Sequence, residues 1–334
     1  MASEGSCRDY PPGALVGQGG AGGGGFGKMP ERAVRVQSAD RVRPSLPGGE
    51  PCGRGQVDMR QEIARSLAES YAAMPEVQAV ALGGSLADGL ADERSDVDLY
   101  VYGNGPLPLE PRATLARAHA DLPEVGNDFW EPGDEWIERD SGVHVDVIYR
   151  STAWVGDQLD RVLRRHEASV GYSTCIWHNL RSSRILVDRA GWLLGLQREA
   201  ETPYPEELVA AIVAKNHPIL RTSASSYRSQ LQSACSRSDW VSVNHRSAAV
   251  LASYFDILFA VNRVLHPGEK RLLERARRSC PHRPLGMEAH VGELVRAAGS
   301  GSDVLPALDQ LVDGLDLHLR DLGWLPIPAS PRRR

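Results

Sequence analysis

The stretch from Val77 to Tyr102 constrains the fold more than any other part of the chain. An apolar run, Val77 to Leu82, delivers a Gly83-Gly84-Ser85 turn; a short helical piece follows, and a second run opens with Asp96-Val97-Asp98-Leu99. Side chains alternate along a strand, so Asp96 and Asp98 share one face while Val97 and Leu99 point into the core. Two like charges held that close repel unless a cation lies between them, and hard carboxylate oxygens suit Mg²⁺. The Gly84-Ser85 turn at a helix start offers backbone N–H groups, a small hydroxyl and a positive dipole end, which suit a phosphate. A phosphate cradle beside a metal pair points to nucleotide chemistry.

A third carboxylate belongs with them. Residues Gly142 to Tyr149 alternate as a strand should, with Val143, Val145, Val147 and Tyr149 on one face and His144, Asp146 and Ile148 on the other. Aspartate is depleted from strands and costly to bury unpaired, so Asp146 is conspicuous. Placed beside the Asp96/Asp98 strand, it brings three carboxylates to one site. His144 shares that face, although a partly buried histidine without a role is the plainer reading. Asp88 and Asp92, in the intervening segment, read as surface or capping residues.

Gly-Ser, a gap from 86 to 95, Asp-apolar-Asp-apolar and a later apolar-Asp-apolar strand together resemble the nucleotidyltransferase superfamily of DNA polymerase beta, which includes the antibiotic nucleotidyltransferases. The resemblance runs from about Met59 to Arg150. Arg184 to Trp192 resembles the extra strand and turn that often follow this core. Tyr254 to Arg263 with Pro267 to Lys270 is similar to the helical C-terminal half of a bacterial branch. The resemblance implies Mg²⁺-dependent transfer of a nucleoside monophosphate, AMP from ATP by default, to a hydroxyl of a small-molecule acceptor, with release of pyrophosphate. Asp96 and Asp98 would hold two Mg²⁺ ions, the outer phosphates would rest on Gly84 and Ser85, and Asp146 would either ligate the second metal or take the hydroxyl proton. Lys215, Lys270, Arg94 and Arg263 are candidates to meet the triphosphate. The alternatives are nucleotidylation of a protein or a tRNA, as in toxin–antitoxin systems, and a non-catalytic nucleotide sensor on the same fold. The intact carboxylate trio speaks against the sensor. Arg161 and His166 mimic the Arg-to-His spacing of the RNases that partner such toxins, a short pattern read as chance.

Composition narrows the partners. A chain of 334 residues makes one large or two modest domains, and a net charge of −5 argues against a broad nucleic-acid surface. No apolar run approaches the roughly 18 residues of a membrane span, and the N-terminus lacks a signal-peptide pattern. The five cysteines are scattered without metal-ligand spacing, which suits reduced thiols and a cytoplasmic protein. Lys28, Lys215 and Lys270 are the only lysines among many arginines, a skew that fits a GC-rich genome.

The expected fold class is α+β: a small mixed sheet forming the nucleotidyltransferase core, flanked by helices and followed by an α-helical bundle. The expected divisions are a disordered Gly/Pro-rich tail at 1–56, the nucleotidyltransferase domain at 57–200, the helical domain at 201–325 and a flexible tail at 326–334. The first tail contains Gly17-x-Gly19-x-x-Gly22 and Gly22 to Lys28, which imitate dinucleotide and P-loop fingerprints but neither follow a strand nor open a helix. Met59 opens the first patterned helix and is a candidate translation start.

Within the core, Asp58 is placed as the cap of a helix to about Ala73, with Ile63, Leu67 and Tyr71 on its buried stripe. Strands at 77–82 and 97–102 precede a helix begun by Pro111 and ending near Ala120. Strands near 127–130 and 135–138 lead to the Asp146 strand; Ser151 then caps a helix to about Arg165, and a strand at 184–187 closes the sheet. Helices are expected at about 205–234, 239–264, 269–279, 287–299 and 303–322. Glu124, Asp128, Glu131, Asp134, Glu135, Glu138 and Asp140 crowd one segment with Trp130 and Trp136. The main reading is a solvated face; the second is an acidic, aromatic wall for a cationic acceptor such as an aminocyclitol.

Overall fold

The computed structural model describes residues 54–87, 95–129 and 131–326. The expectations placed on the N-terminal tail with its two glycine fingerprints, Cys7, Cys52, Lys28, Asp88, Asp92, Arg94, Trp130 and the tail beyond 326 therefore lie outside the described residues.

In chain order the elements are α1 (Arg54–Ala72), β1 (Val77–Leu82), α2 (Gly84–Ala87), β2 (Val97–Gly103), α3 (Leu109–His119), β3 (Glu124–Asn127), β4 (Gly133–Ile137), β5 (His144–Ser151), α4 (Thr152–Leu163), α5 (Cys175–Ser182) and β6 (Arg184–Asp188). They continue through α6 (Trp192–Ala200), α7 (Glu206–Arg221), α8 (Tyr227–Ser236), α9 (Trp240–Val261), α10 (Leu272–Ser279), α11 (Met287–Ser300) and α12 (Val304–Asp321). The strands form one sheet in the order β3-β4-β5-β2-β1-β6. β2 and β5 run parallel, and the other neighbours are antiparallel. This is the mixed-sheet α+β architecture with a helical second half that the alternation pattern implies.

Alternation along β2 divides the sheet into two unlike faces. Val97, Leu99 and Val101 join Val145, Val147 and Tyr149 of β5 in a core closed by Leu67 and Tyr71 of α1. Tyr100 and Tyr102 point the other way, with Ala79 and Ala81 of β1, into a larger core shared with the helices from α4 onward. Each half therefore buries its apolar surface against the same sheet, and burial of this kind is the main stabilising term.

A polar seam crosses the first core. Arg112 of α3 donates to the fully buried Asp134 of β4 at 2.5 and 3.0 Å. The Tyr149 hydroxyl donates to Asp134 at 2.5 Å and lies 2.8 Å from the Tyr71 hydroxyl. The Arg112 guanidinium also sits 4.0 Å from the centre of the Tyr149 ring. Burial and the neighbouring Tyr71 and Asp134 hold the Tyr149 phenol far above its usual range, which keeps its hydroxyl a donor to Asp134.

Several boundaries differ from the sequence reading. α1 begins at Arg54, so Asp58 lies inside the helix rather than capping it. β3 and β4 start earlier than expected, because Asp134 accepts from the Gly126 backbone at 2.7 Å and fixes the hairpin there. The aromatic Phe129, counted as a strand residue, is exposed in the turn. The single helix expected over 205–234 is two: α7 carries Pro218, which cannot donate to the helical ladder, and Ser226 caps α8 by accepting from the Ser229 N–H at 3.3 Å. Helices α5 and α6 are additions to the sequence reading: at eight and nine residues they are too short for their apolar stripes to stand out along the chain. Ser151 does cap α4, accepting from the Trp154 N–H at 3.1 Å.

Candidate active site

β2 and β5 pair in a register that sets Asp98 directly beside Asp146. Their neighbours Val97, Leu99, Val145 and Val147 are completely buried on the opposite face, so the pleat itself aims both carboxylates toward the helical half. Asp96, just before β2, is more open: its side chain is 47% exposed and its Oδ1 lies 3.8 Å from His144 Nδ1. His144 in turn stands 3.6 Å from Glu135, which is the β4 partner of Asp146. The histidine thus bridges two acidic side chains at the rim, where the sequence alone favoured a residue with no part in the site.

The electrostatics record the crowding. Burial is the main cause that raises the Asp98 carboxyl above its ordinary value; Lys270 pulls it back, and Asp96 pushes it further up. Asp146 is pushed up to about 6, first by burial, then by Asp98 and Glu135. Two half-buried carboxylates, each raised first by burial and then by a neighbouring carboxylate, are the donor set a hard divalent cation neutralises. Among the described residues, no group of three or more His, Cys, Asp or Glu side chains is gathered for a metal. Asp98 and Asp146 form the facing pair, and Asp96 stands to the side as a third oxygen donor.

The two glycines are both required, for different reasons. Gly83 is buried, its N–H donates to the Asp98 carbonyl at 2.8 Å, and a Cβ there would run into the Tyr100 ring. Gly84 has φ of 58° and is exposed, and a Cβ on it would overlap the Asp98 carboxylate. The turn and the Asp98 carboxylate are therefore in van der Waals contact, closer than adjacency in sequence demanded. The Gly83 N–H is spent on the strand, which leaves it out of any phosphate cradle. Ser85 donates its hydroxyl to Ser95 Oγ at 2.9 Å, tying the start of α2 to the residue before Asp96.

The model for the nucleotidyltransferase domain family matches residues 61–168. Those residues are a nucleotidyltransferase domain. The match runs from within α1 to just past α4 and takes in all three carboxylates. No curated protein matches the chain in sequence. Solved structures with some likeness include a nucleotidyltransferase-like protein from Exiguobacterium sibiricum, 17% identical over 79% of this chain and 78% of that one, with a TM-score of 0.38. A CCA-adding enzyme from Thermotoga maritima complexed with tRNA is 14% identical over 80% of this chain and 67% of its own, with a TM-score of 0.28. The CdnC:HORMA-deltaN complex from Escherichia coli is 14% identical over 79% and 91%, with a TM-score of 0.27. Likenesses this loose carry no argument about substrates.

Around the nucleotidyltransferase carboxylates, the cationic candidates separate. Lys270, on the loop between α9 and α10, is near enough to Asp98 to act on its charge. Arg263 is occupied by Glu206 through two bonds of 2.7 Å, and Lys215 is exposed on α7. Arg161 turns inward to Ser169 Oγ at 3.0 Å, in keeping with its reading as chance.

The acidic segment is neither a solvated face nor an aromatic wall. Asp134 is the buried anchor of the polar seam; Glu138 is buried against His119 and Trp136; Glu131 chelates the buried Arg150 through two bonds of 2.7 Å. Trp136 is itself buried. Only Glu124, Asp128 and Asp140 are freely solvated, and Glu135 alone is poised beside Asp146. Sequence reasoning missed the support beneath the turn, where the Arg150 guanidinium lies 4.5 Å from the centre of the Tyr100 ring that underlies Gly83. An aromatic at the second position after Asp98 and an arginine ending the Asp146 strand were the available signals. No helix among the described residues is long and apolar enough to cross a membrane.

Proposed function

We propose that the domain moves a nucleoside monophosphate, AMP from ATP, to a hydroxyl of a small-molecule acceptor and releases pyrophosphate. The observation that carries this reading is the in-register pair of Asp98 and Asp146, with Asp98 set against Gly84. Asp96 and Asp98 would hold Mg²⁺, with Asp146 beside them; the cation would neutralise phosphate charge and lower the pKa of the acceptor hydroxyl. Gly84, lacking a side chain, lets the turn lie against the Asp98 carboxylate, and Ser85 presents a small hydroxyl at the same turn. Lys270 approaches from the helical half and supplies a positive charge to the departing pyrophosphate. Asp146, with its carboxyl pushed up to about 6, serves as the base in this reading and accepts the hydroxyl proton on a carboxylate oxygen. Glu135, on the neighbouring strand, favours an acceptor that carries positive charge near that hydroxyl. Positioning and charge neutralisation supply most of the rate.

The test is calorimetric titration with a non-hydrolysable analogue of each nucleoside triphosphate, with and without Mg²⁺, in the wild type and in Asp98→Asn. Mg²⁺-dependent binding of the ATP analogue that weakens at least a hundredfold in the variant is the expected result. Equal binding by both proteins removes Asp98 from the site.

A further inference from the structure

Away from the carboxylates, the helical half carries a cavity of about 300 Å³ between α5, the C-terminal part of α9, α10 and the loop that joins those last two helices. Its apolar side is made by Phe259 of α9 and by Leu265 and Pro267 of the loop. Its polar side is cationic, with Arg181 and His178 from α5 and Arg275 from α10. No carboxylate lines it, in a chain whose net charge is −5. Arg181 is exposed and has no ion-pair partner among the described residues, whereas His178 and Arg275 are also engaged by neighbours. Behind Phe259, with ring centres 5.1 Å apart, His266 is fully buried and held neutral, so the positive charge here belongs to the arginines.

Cationic forks facing an apolar wall define a ligand by its two ends. A guanidinium binds a phosphate through paired N–H donors, and the charge of a neighbouring arginine adds to the attraction. A wall of phenylalanine, leucine and proline offers nothing to a bare ion and rewards a flat or branched hydrocarbon body. The volume sits at the small end of the roughly 300–1,000 Å³ range of small-molecule sites, which suits one ring with one phosphate. We propose that this cavity binds a small organic phosphate, its anion on Arg181 within the field of Arg275 and its apolar body on Leu265 and Pro267, which the buried Phe259 backs. The site is separate from the carboxylates. Pro267 nevertheless lies three residues before Lys270, so a ligand resting on it braces the loop that reaches toward Asp98.

Phenyl phosphate is the probe, titrated by calorimetry into the full chain, with inorganic phosphate and phenol as its separated halves. Binding at least tenfold tighter than either half is expected, weakened tenfold or more in Arg181→Gln. Asp98→Asn should leave it unchanged, as should Arg277→Gln, which alters an exposed arginine elsewhere on α10. The exposed position of Arg181 makes a folded variant the expectation, and its circular dichroism spectrum checks this. Absence of binding at millimolar probe, or equal binding by wild type and Arg181→Gln, overturns the proposal. So does inorganic phosphate binding as tightly as the ester, or an equal loss in Arg277→Gln, which would mean a general basic surface. Loss in Asp98→Asn alone would place the probe at the carboxylates, an outcome that removes this site and leaves the nucleotide site standing.

Discussion

The two faces of the central sheet solve opposite problems with the same strands. One face sets Val97, Leu99, Val145 and Val147 against α1 and asks only that apolar surface be hidden. The other begins with Asp98 and Asp146 and continues into Tyr100 and Tyr102 beneath the helical half. The first face is organised for stability. The second accepts two mutually repelling carboxylates, and a fold that keeps such a cost at one edge is organised for a charged ligand.

Removing the arginine of the polar seam should give the largest loss of stability. Arg112→Ala would leave Asp134 buried and without its cation, and breaking such a pair costs about 3–5 kcal/mol. Urea denaturation measures it, and a loss under 1 kcal/mol would show that the seam is dispensable. Next comes Leu99→Ala, at about 2–5 kcal/mol, because the side chain is completely buried. Its neighbour Asp98 should behave in the opposite sense: Asp98→Asn leaves the melting temperature unchanged or raises it, since a repelling charge is gone. A destabilised Asp98→Asn would erase the contrast between the faces. Gly84→Ala sharpens it further, weakening Mg²⁺-dependent nucleotide binding at least tenfold while the melting temperature falls by only a few degrees, because the added methyl meets the carboxylate and not the core.

The smallest effect is a pH slope. Asp146 has its carboxyl raised to about 6 in the folded chain, against an ordinary value near 4. Between those values the folded protein holds a proton that the unfolded chain has released. Its contribution is therefore fully present below about pH 4 and is lost as pH rises through about 6. Melting temperatures recorded without divalent cations, in wild type and Asp146→Asn, should differ in slope across that window and nowhere else.

How much of this was legible in the sequence follows from what each signal depends on. The strands at 77–82 and 97–103, the Ser151 cap and the carboxylates at 98 and 146 could be read because strand alternation and capping are local rules. The fate of the acidic segment could not. Asp134, Glu138 and Glu131 look alike in sequence, yet each is held by a partner well separated along the chain: Arg112, His119 and Arg150. Likewise, Asp96 and Asp98 share a strand face by rule, but Asp96 precedes the strand and swings toward His144. Nothing local foretold that Lys270 and not Lys215 would come near the site, since that depends on how the helical half packs on the sheet.

The parallel pairing of β2 with β5 carries a kinetic consequence. Antiparallel neighbours such as β1 and β2 can zip from a nearby connection, but Asp98 meets Asp146 only after α3 and the β3–β4 hairpin have been looped out between them. Closing that long loop costs entropy before any contact repays it, so the pairing is slow to form. The expected order therefore has the two carboxylates coming together after the more local β1–β2, β3–β4 and β4–β5 pairs. A refolding chain should thus regain secondary structure before it regains nucleotide binding, and the lag between the two signals times the closure of that single strand pair.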